Sequence, residues 1–249
     1  MNQQLLGIDV GGSSVKAGVV DVSQGVVLGE VISAATPQPS TPQRLADVIA
    51  GLAARLPQAQ GGVGVAFPSV VRHGVIRTAA NIDHSWLGAD GAAVVGRALS
   101  RPVVFLNDAD AAGLAEMHWG AGRGVTGTAI MLTFGTGIGS ALFANGTLFP
   151  NTELGHLELN GMDAEKFASA AVRTALQLEF PAWIERVNTY LARMHALFWP
   201  DVMILGGAVS ERYAEFAGLL RSECELRPAR FAGQAGVIGA AMAAAESPA

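Results

Sequence analysis

Apolar positions run in short blocks along this chain, and their spacing alternates between near-continuous and helical. Leu5-Leu6-Gly7-Ile8-Asp9-Val10 reads as a strand. Gly11-Gly12-Ser13-Ser14 breaks it, and Val15 to Val20 resumes a second strand ending at Asp21; this is the pattern of a hairpin with a glycine-rich tip. A similar unit recurs roughly half a chain later, where Ala129 to Phe134 is broken by Gly135-Thr136-Gly137-Ile138-Gly139 and resumed by Ser140 to Phe143. One such unit in each half predicts two similar lobes, and a chance recurrence of glycine turns is the other reading. Thr36-Pro37-Gln38-Pro39-Ser40-Thr41-Pro42 is a loop, because its prolines fit neither a helix interior nor a central strand. It leads into a predicted helix with Leu45, Val48, Ile49, Leu52 and Leu56 on one face. Gly62 to Phe67 and Val103 to Leu106 read as short buried strands. Beyond residue 160 the period turns helical, with Ile184, Val187, Leu191, Met194 and Phe198 in one stripe. Asp201 to Leu205 reads as another buried strand, followed by Gly206-Gly207, a helix from about Ser210, and a closing helix over Gly236 to Ala245. Alternating strands and helices predict α/β layers, with the lobe boundary near Asn107.

Composition narrows the function classes. The chain has 249 residues, of which 50% are hydrophobic and only 15% charged, with 31 glycines and a mean hydropathy of +0.35. That is enough chain for one large or two modest domains with a substantial core, and too apolar for a disordered protein. No apolar run reaches the length of a membrane span, and no signal-peptide pattern opens the chain. Net charge is −5, and only Lys16 and Lys166 among the 16 cations are lysines. Such a surface is a poor partner for nucleic acid or anionic membrane. Cys224 is the single cysteine, which excludes an internal disulfide framework and any multi-cysteine zinc site. A cytoplasmic enzyme is the expectation.

The first tip, Asp9-Val10-Gly11-Gly12-Ser13-Ser14-Val15-Lys16, has the ingredients of a phosphate-holding hairpin. Glycines let backbone N–H groups approach an anion, Ser13 and Ser14 offer hydroxyls, Lys16 offers charge, and Asp9 is placed to hold a metal-bound water. It is not a Walker A loop, since Ser13 stands where lysine is required; an ordinary hairpin turn is the plain alternative. The second tip repeats the argument with Gly135, Thr136 and Gly137, and the pair makes a plausible clamp for a phosphate chain. Asn107-Asp108-Ala109-Asp110 follows a buried strand and precedes an alanine-rich helix, a position suited to a general base at Asp108. A helix N-cap, the place that Asp110 fits, competes with it, as does plain turn chemistry. A calcium loop fares worse, because Ala112 and Trp119 would stand at ligand positions. Glu153-Leu154-Gly155-His156 puts a carboxylate and an imidazole on one side of a helical turn. Di-iron and deaminase-type zinc sites need partners that are absent. What remains is a pair suited to vicinal hydroxyls, or a hydrogen-bonded structural histidine.

Taken in order, these motifs resemble the ROK family of sugar kinases, within the actin-like, hexokinase-like ATPase fold, a two-lobed ribonuclease H-like duplication. The resemblance runs from the first tip through Thr78-Ala79-Ala80-Asn81, Asn107-Asp108, the second tip and Glu153-Leu154-Gly155-His156 to Leu205-Gly206-Gly207 and Ala235 to Ala241. Thr36 to Pro42, Asn107 to Glu116 and Asn151 to Glu158 carry a narrower likeness to the family's polyphosphate-using glucose kinases. The resemblance implies that Asp108 accepts the proton of the sugar's 6-hydroxyl and that Asn81, Asn107, Glu153, His156 and Glu165 bind the sugar. Asp9, Gly11, Gly12, Ser13, Lys16, Gly135, Thr136, Gly137, Gly206 and Gly207 would face phosphate or nucleotide, with Mg²⁺ near Asp9 through water. Glu165, four residues before Ser169, matches a family glutamate, but Leu159 to Ala164 replaces the family's zinc-binding cysteines, so no zinc is expected. Ser69 stands where glycine is usual, and Gly233-Gln234 where asparagines are common.

The resemblance therefore implies a glucokinase, with mannose a further possible acceptor, polyphosphate and ATP as donors, and a homodimer. The expected lobes are 1–106, joined by the closing helix 236–249, and 107–235, with the active site in the cleft between them. Arg72, Arg77 and Arg123 are candidates to line a polyphosphate path. Rival readings are an ATP-only hexose or N-acetylhexosamine kinase, a sugar-responsive regulator and an actin-like ATPase without a sugar. The regulator would need a DNA-binding module ahead of the first strand, where only Met1 to Gln4 stand, and the ATPase would need neither Asp108 nor the Glu153, His156 and Glu165 set.

Overall fold

The glycine-rich tips organise two sheets of the same plan. The computed structural model describes residues 4–59, 61–80 and 82–246. In the first half, β1 (Gln4–Val10) turns at Gly11 into antiparallel β2 (Ser14–Asp21), which pairs with β3 (Val26–Ala35). Helix α1 (Pro42–Ala54) leads to β4 (Val63–Phe67), then to the small hairpin β5 (Val71–Arg72) and β6 (Val75–Ile76). Helix α2 (Gly91–Leu99), β7 (Val103–Asn107) and α3 (Asp108–Trp119) follow. In the second half come β8 (Thr128–Phe134), β9 (Ile138–Ala144), β10 (Thr147–Phe149) and the hairpin β11 (Glu158–Leu159) and β12 (Met162–Asp163). Then come α4 (Ala164–Ala168), α5 (Ala170–Ala175), α6 (Phe180–Phe198), β13 (Val202–Gly206), α7 (Tyr213–Phe216), β14 (Glu225–Pro228) and α8 (Ala235–Glu246).

The two five-stranded sheets have orders β3-β2-β1-β4-β7 and β10-β9-β8-β13-β14. In each, two antiparallel pairings are followed by two parallel ones, so the repeat of the tips is a repeat of the whole sheet. Strands β4 and β13 are buried at every residue, the mark of parallel strands covered on both faces. Strand β3 escapes the sequence pattern because it is an edge strand with no fully buried position; its place comes from pairing with β2.

The chain forms two units, Met1–Ala115 with Gln234–Ala249, and Glu116–Gly233. The division falls within α3, past Asn107, and leaves Asp108 in the first unit. That unit's core joins Leu6, Ile8, Leu45, Ile49, Leu52, Phe67 and Trp86. The predicted face of α1 is inside it, except that Val48 is only partly buried. Helix α8 is buried almost all round, and it meets its neighbours backbone to backbone. A Cβ at Gly64 of β4 would lie 1.7 Å from the Ala240 carbonyl oxygen, and one at Gly239 would lie 1.7 Å from that of Ala111. Only glycine permits that approach.

In the second unit, Ile184, Val187, Leu191 and Met194 of α6 are fully buried with Trp183 and Tyr190, as their spacing requires, while Phe198 at the end of the stripe is only partly buried. The helix expected from about Ser210 is instead three short turns, Ala208–Arg212, α7 and Ala217–Leu219. Phe216 packs on the rings of Phe180 and Trp183, with centroids 5.1 and 6.0 Å away. Seating it takes its backbone to φ −129°, ψ −4°, which ends the helix there.

Candidate active site

In the first unit, the tip after β1 is braced from the proline loop. Gly11 N–H donates to the Ser14 carbonyl at 2.9 Å, Thr36 N–H donates to that of Ser13 at 3.1 Å, and the Thr36 hydroxyl donates to that of Gly11 at 2.6 Å. A Cβ at Gly12 would meet no protein atom within 4 Å, and Gly12 lacks the left-handed backbone that favours glycine. Nothing within the fold therefore demands a glycine there. Asp9 and Lys16 face each other across the β1–β2 pair. Loss of solvent pushes the Asp9 carboxyl above its ordinary range, and Lys16 pulls it back only in part. The carboxylate lies over the first turn of α8, where a Cβ at Gly236 would sit 2.7–3.0 Å from its atoms.

Asn107 and Asp108 stand where β7 becomes α3. The Asn107 side-chain Oδ1 accepts from the N–H groups of Ala109 at 2.9 Å and Asp110 at 3.0 Å, so Asn107 supplies the cap expected of Asp110. Asp110 is instead buried inside the first turn of α3: an oxygen at residue 107 is the one that reaches the first N–H groups of a helix beginning at 108. The Asn107 amide also donates to the Ser69 carbonyl at 3.2 Å. Asp108 is half-buried beside it and accepts from Ala109 N–H at 2.9 Å. Ser69, the departure from glycine, ties its loop to the next one: its hydroxyl bonds to the Thr78 carbonyl, and Val70 N–H donates to the Thr78 hydroxyl at 3.0 Å. Asn81 lies outside the described residues.

In the second unit, the tip after β8 is closed by Gly135 N–H donating to the Gly137 carbonyl at 3.0 Å, and Ala171 N–H donates to the Gly135 carbonyl at 3.0 Å. Thr136 is exposed between them, and a Cβ at Gly135, as at Gly12, would meet nothing within 4 Å. Gly137 is different, since a Cβ there would lie 2.3 Å from Glu165 Oε2. The glutamate thus packs directly on the tip. Glu153 and His156 bracket a 3₁₀ turn, Leu154–His156, held on β9. The buried Ser140 hydroxyl bonds to the Thr152 carbonyl at 2.9 Å and accepts from Leu154 N–H at 3.1 Å. Gly155 closes the contact, since its Cβ would stand 2.2 Å from the Ile138 carbonyl oxygen.

Three carboxylates meet the His156 ring. Nε2 is 3.7 Å from Glu153 Oε2, and Nδ1 is 3.8 Å from both Glu165 Oε1 and Asp163 Oδ2. Partial burial pushes the Glu153 carboxyl up, although 40% of its side chain remains exposed. His156, Asp163 and Glu165 are close enough to share a cation, but Asp163 is already paired with Lys166 at 2.8 Å. Gly206 and Gly207 pack beside the strand that opens this tip: at Gly207, φ is +83° and a Cβ would lie 2.4 Å from the Phe134 carbonyl oxygen. Arg72 and Arg77 are exposed on the first unit, and Arg123 on the second.

Sequence reasoning missed the Thr36 brace, the Ser140–Thr152 anchor and Asp163. The last had a signal: Asn160-Gly161, with φ of 53° and 78°, is a two-residue hairpin turn, and it folds Asp163 back beside the segment that carries His156.

The ROK family model matches residues 5–172. The chain is 45% identical to a polyphosphate glucokinase of Mycobacterium tuberculosis (strain CDC 1551 / Oshkosh) over 242 residues, covering 95% of this chain and 89% of that one. It is similar to the crystal structure of an inorganic polyphosphate/ATP-glucomannokinase from Arthrobacter sp. strain KM, with a TM-score of 0.95 and 45% identity over 98% of this chain and 99% of the other. A ROK family glucokinase from Streptomyces griseus, solved with glucose and AMPPNP, matches with a TM-score of 0.83 and 25% identity over 98% of this chain and 100% of that one. With the repeated sheet, the two glycine tips and Glu153-Leu154-Gly155-His156 in place, the chain belongs to the ROK family of hexokinase-like fold.

Proposed function

We propose that this protein is a glucokinase that transfers a phosphoryl group to the 6-hydroxyl of glucose from inorganic polyphosphate, and also from ATP. The observation that carries the reading is the 45% identity to a polyphosphate glucokinase across 95% of the chain. The geometry agrees with it. Glycines at 12 and 135 that the fold itself does not require keep the tips clear of Cβ atoms, so that phosphate oxygens can approach the tip backbone closely. Those groups, with the Ser13 and Thr136 hydroxyls and the Lys16 ammonium, bind phosphates whatever is attached beyond them.

Glu153, His156 and Glu165 orient the sugar's anomeric end, and Asn107, with Asn81, binds hydroxyls near the reacting one. As the 6-oxygen attacks the terminal phosphorus, Asp108 takes its proton, a contribution of about 10²–10⁴-fold. The bond from phosphorus to the bridging oxygen breaks, and the leaving group departs as a polyphosphate one unit shorter, or as ADP. The products are glucose 6-phosphate and a protonated Asp108, which later releases the proton to water. Little covalent chemistry falls to the protein in such a transfer; positioning and charge stabilisation dominate. The desolvated Asp9 carboxylate beside the first tip suits Mg²⁺ held through water, and the ion would offset phosphate charge there. Mannose, which differs from glucose at one hydroxyl, is a second acceptor, and the chain works as a cytoplasmic homodimer.

The test is glucose 6-phosphate formation with polyphosphate and with ATP at fixed Mg²⁺. Product from both donors is expected. Turnover with ATP alone would remove the polyphosphate assignment and leave a glucokinase, and no turnover with either would overturn the reading.

A further inference from the structure

Of the carboxylates around His156, Glu153 and Glu165 have sugar-binding roles in the proposed function, and Asp163 has none. Its placement is nevertheless built with care. The Asn160-Gly161 turn closes β11 on β12, pairing Glu158 with Asp163 and Leu159 with Met162. Ala164 N–H, next to Asp163, donates to the Leu157 carbonyl at 2.8 Å, which ties the return strand to the residue after His156. Lys166 Nζ lies 2.8 Å from Asp163 Oδ2. That contact is the main cause holding the Asp163 carboxyl below its ordinary range, with His156 contributing less. Asp163 is therefore an ionised acceptor, pinned by Lys166, facing Nδ1 of His156. Glu165 also faces Nδ1, but its other oxygen is packed on the tip at Gly137.

We infer that Asp163 is a positioning residue for sugar binding: its carboxylate, 3.8 Å from Nδ1 of His156, favours the tautomer with the proton on Nδ1, and so presents Nε2, beside Glu153, as a hydrogen-bond acceptor for a hydroxyl of glucose. A neutral imidazole carries one proton, and the partner of one nitrogen decides what the other can do. The acceptor oxygen of Asp163 thus sets the polarity of an atom it does not touch. Lys166 is the support of that support. The inference rests on the proposed sugar-binding role of His156.

The experiment has one arm that needs no turnover. Long-range ¹H–¹⁵N spectra of the protein labelled at histidine, assigned with His156→Gln, report which ring nitrogen carries the proton at a pH where the ring is neutral. The wild-type ring is expected to be protonated at Nδ1, and Asp163→Asn to mix the tautomers. In steady state, Asp163→Asn should raise KM for glucose about tenfold, the size of one charge-assisted hydrogen bond, with kcat changed less than about twofold. Asp163→Glu should restore part of the affinity, and Lys166→Met should move KM the same way by less. Wild-type His156 protonated at Nε2, or an unchanged spectrum in Asp163→Asn, would overturn the inference, as would a fall in kcat alone. A raised KM with an unchanged spectrum would mean a merely structural role and would also overturn it. Stoichiometric metal in the purified protein would do the same, since a metal would then hold the ring. If Asp163→Asn does not fold, the wild-type spectrum and Lys166→Met still decide. A wild-type protein that forms no glucose 6-phosphate but shows the expected tautomer would defeat the functional reading and spare the geometric one.

Discussion

Asp108 opens α3 directly after β7, and its neighbour Asn107 carries the helix cap. That division of labour makes the proposed base separable from the fold. Asp108→Asn keeps an oxygen for Ala109 N–H and leaves the cap intact, so glucose binding by calorimetry should persist while kcat falls by about 10²-fold or more. Near-normal turnover would remove Asp108 from the role of base. Asp9 behaves in the opposite sense. Burial raises its carboxyl, so the folded state binds a proton more tightly than the unfolded chain does. The stability linked to this group is present below the ordinary carboxylate range and is lost as pH rises through the raised value. Above the ordinary carboxylate range the group therefore weighs against the fold. Asp9→Asn should therefore melt higher than the wild type near pH 7, by about 2–4 °C for each kcal/mol recovered, and the gap should close toward pH 4. Activity should fall in the same variant, because the proposed role of Asp9 in holding Mg²⁺ through water needs its charge. Melting curves across that pH range, with no gap at pH 7, would sink the argument.

Glycines decide how closely the elements approach. Gly155 lets the Glu153–His156 turn sit on β9, and Gly137 makes room for Glu165 on the tip itself. Both motifs were visible as sequence. Their mutual contact was not, because residues 137, 155 and 165 share no period on any single element. Gly155→Ala would force its methyl group toward the Ile138 carbonyl, 2.2 Å from the ideal position. Such overpacking costs about 1–3 kcal/mol, and the turn should shift off β9 with Glu153 and His156, the two side chains on it that are proposed to bind the sugar. The expected outcome is a lowered denaturation midpoint together with a raised KM for glucose, and an unchanged KM would show that the turn does not depend on this seat. The α6 stripe was legible because one helix face against one core is a local rule. The turns from Ala208 to Leu219 were not, since the burial of Phe216 against Phe180 and Trp183 overrides the local pattern.

Across the whole molecule, one sheet plan is used twice, and each copy carries a glycine tip after its first strand. A net charge of −5 means that a polyanionic donor must find its counter-charges locally. Polyphosphate pairs more charges than ATP along a longer anion, so KM for polyphosphate should rise more steeply with salt than KM for ATP, about as screening shortens the Debye length from ~10 Å at 0.1 M to ~3 Å at 1 M. Parallel salt dependences for the two donors would argue against an extended cationic path. The sequence by itself determined the α/β class, the two hairpin tips, the α6 face and the family, because each depends on spacing within a few residues or on ordered motifs along the chain. It also marked Asp108, Glu153, His156 and Glu165 as the candidates. Only the tertiary structure decided that β3 is a strand, that Asn107 caps α3, that α8, already expected in the first unit, meets its neighbours there backbone to backbone at glycines, and that Asp163 faces His156. Each of these joins residues far apart in sequence or set by a neighbour's backbone, and an edge pairing, a backbone approach or a charge contact leaves no period in the residues that make it.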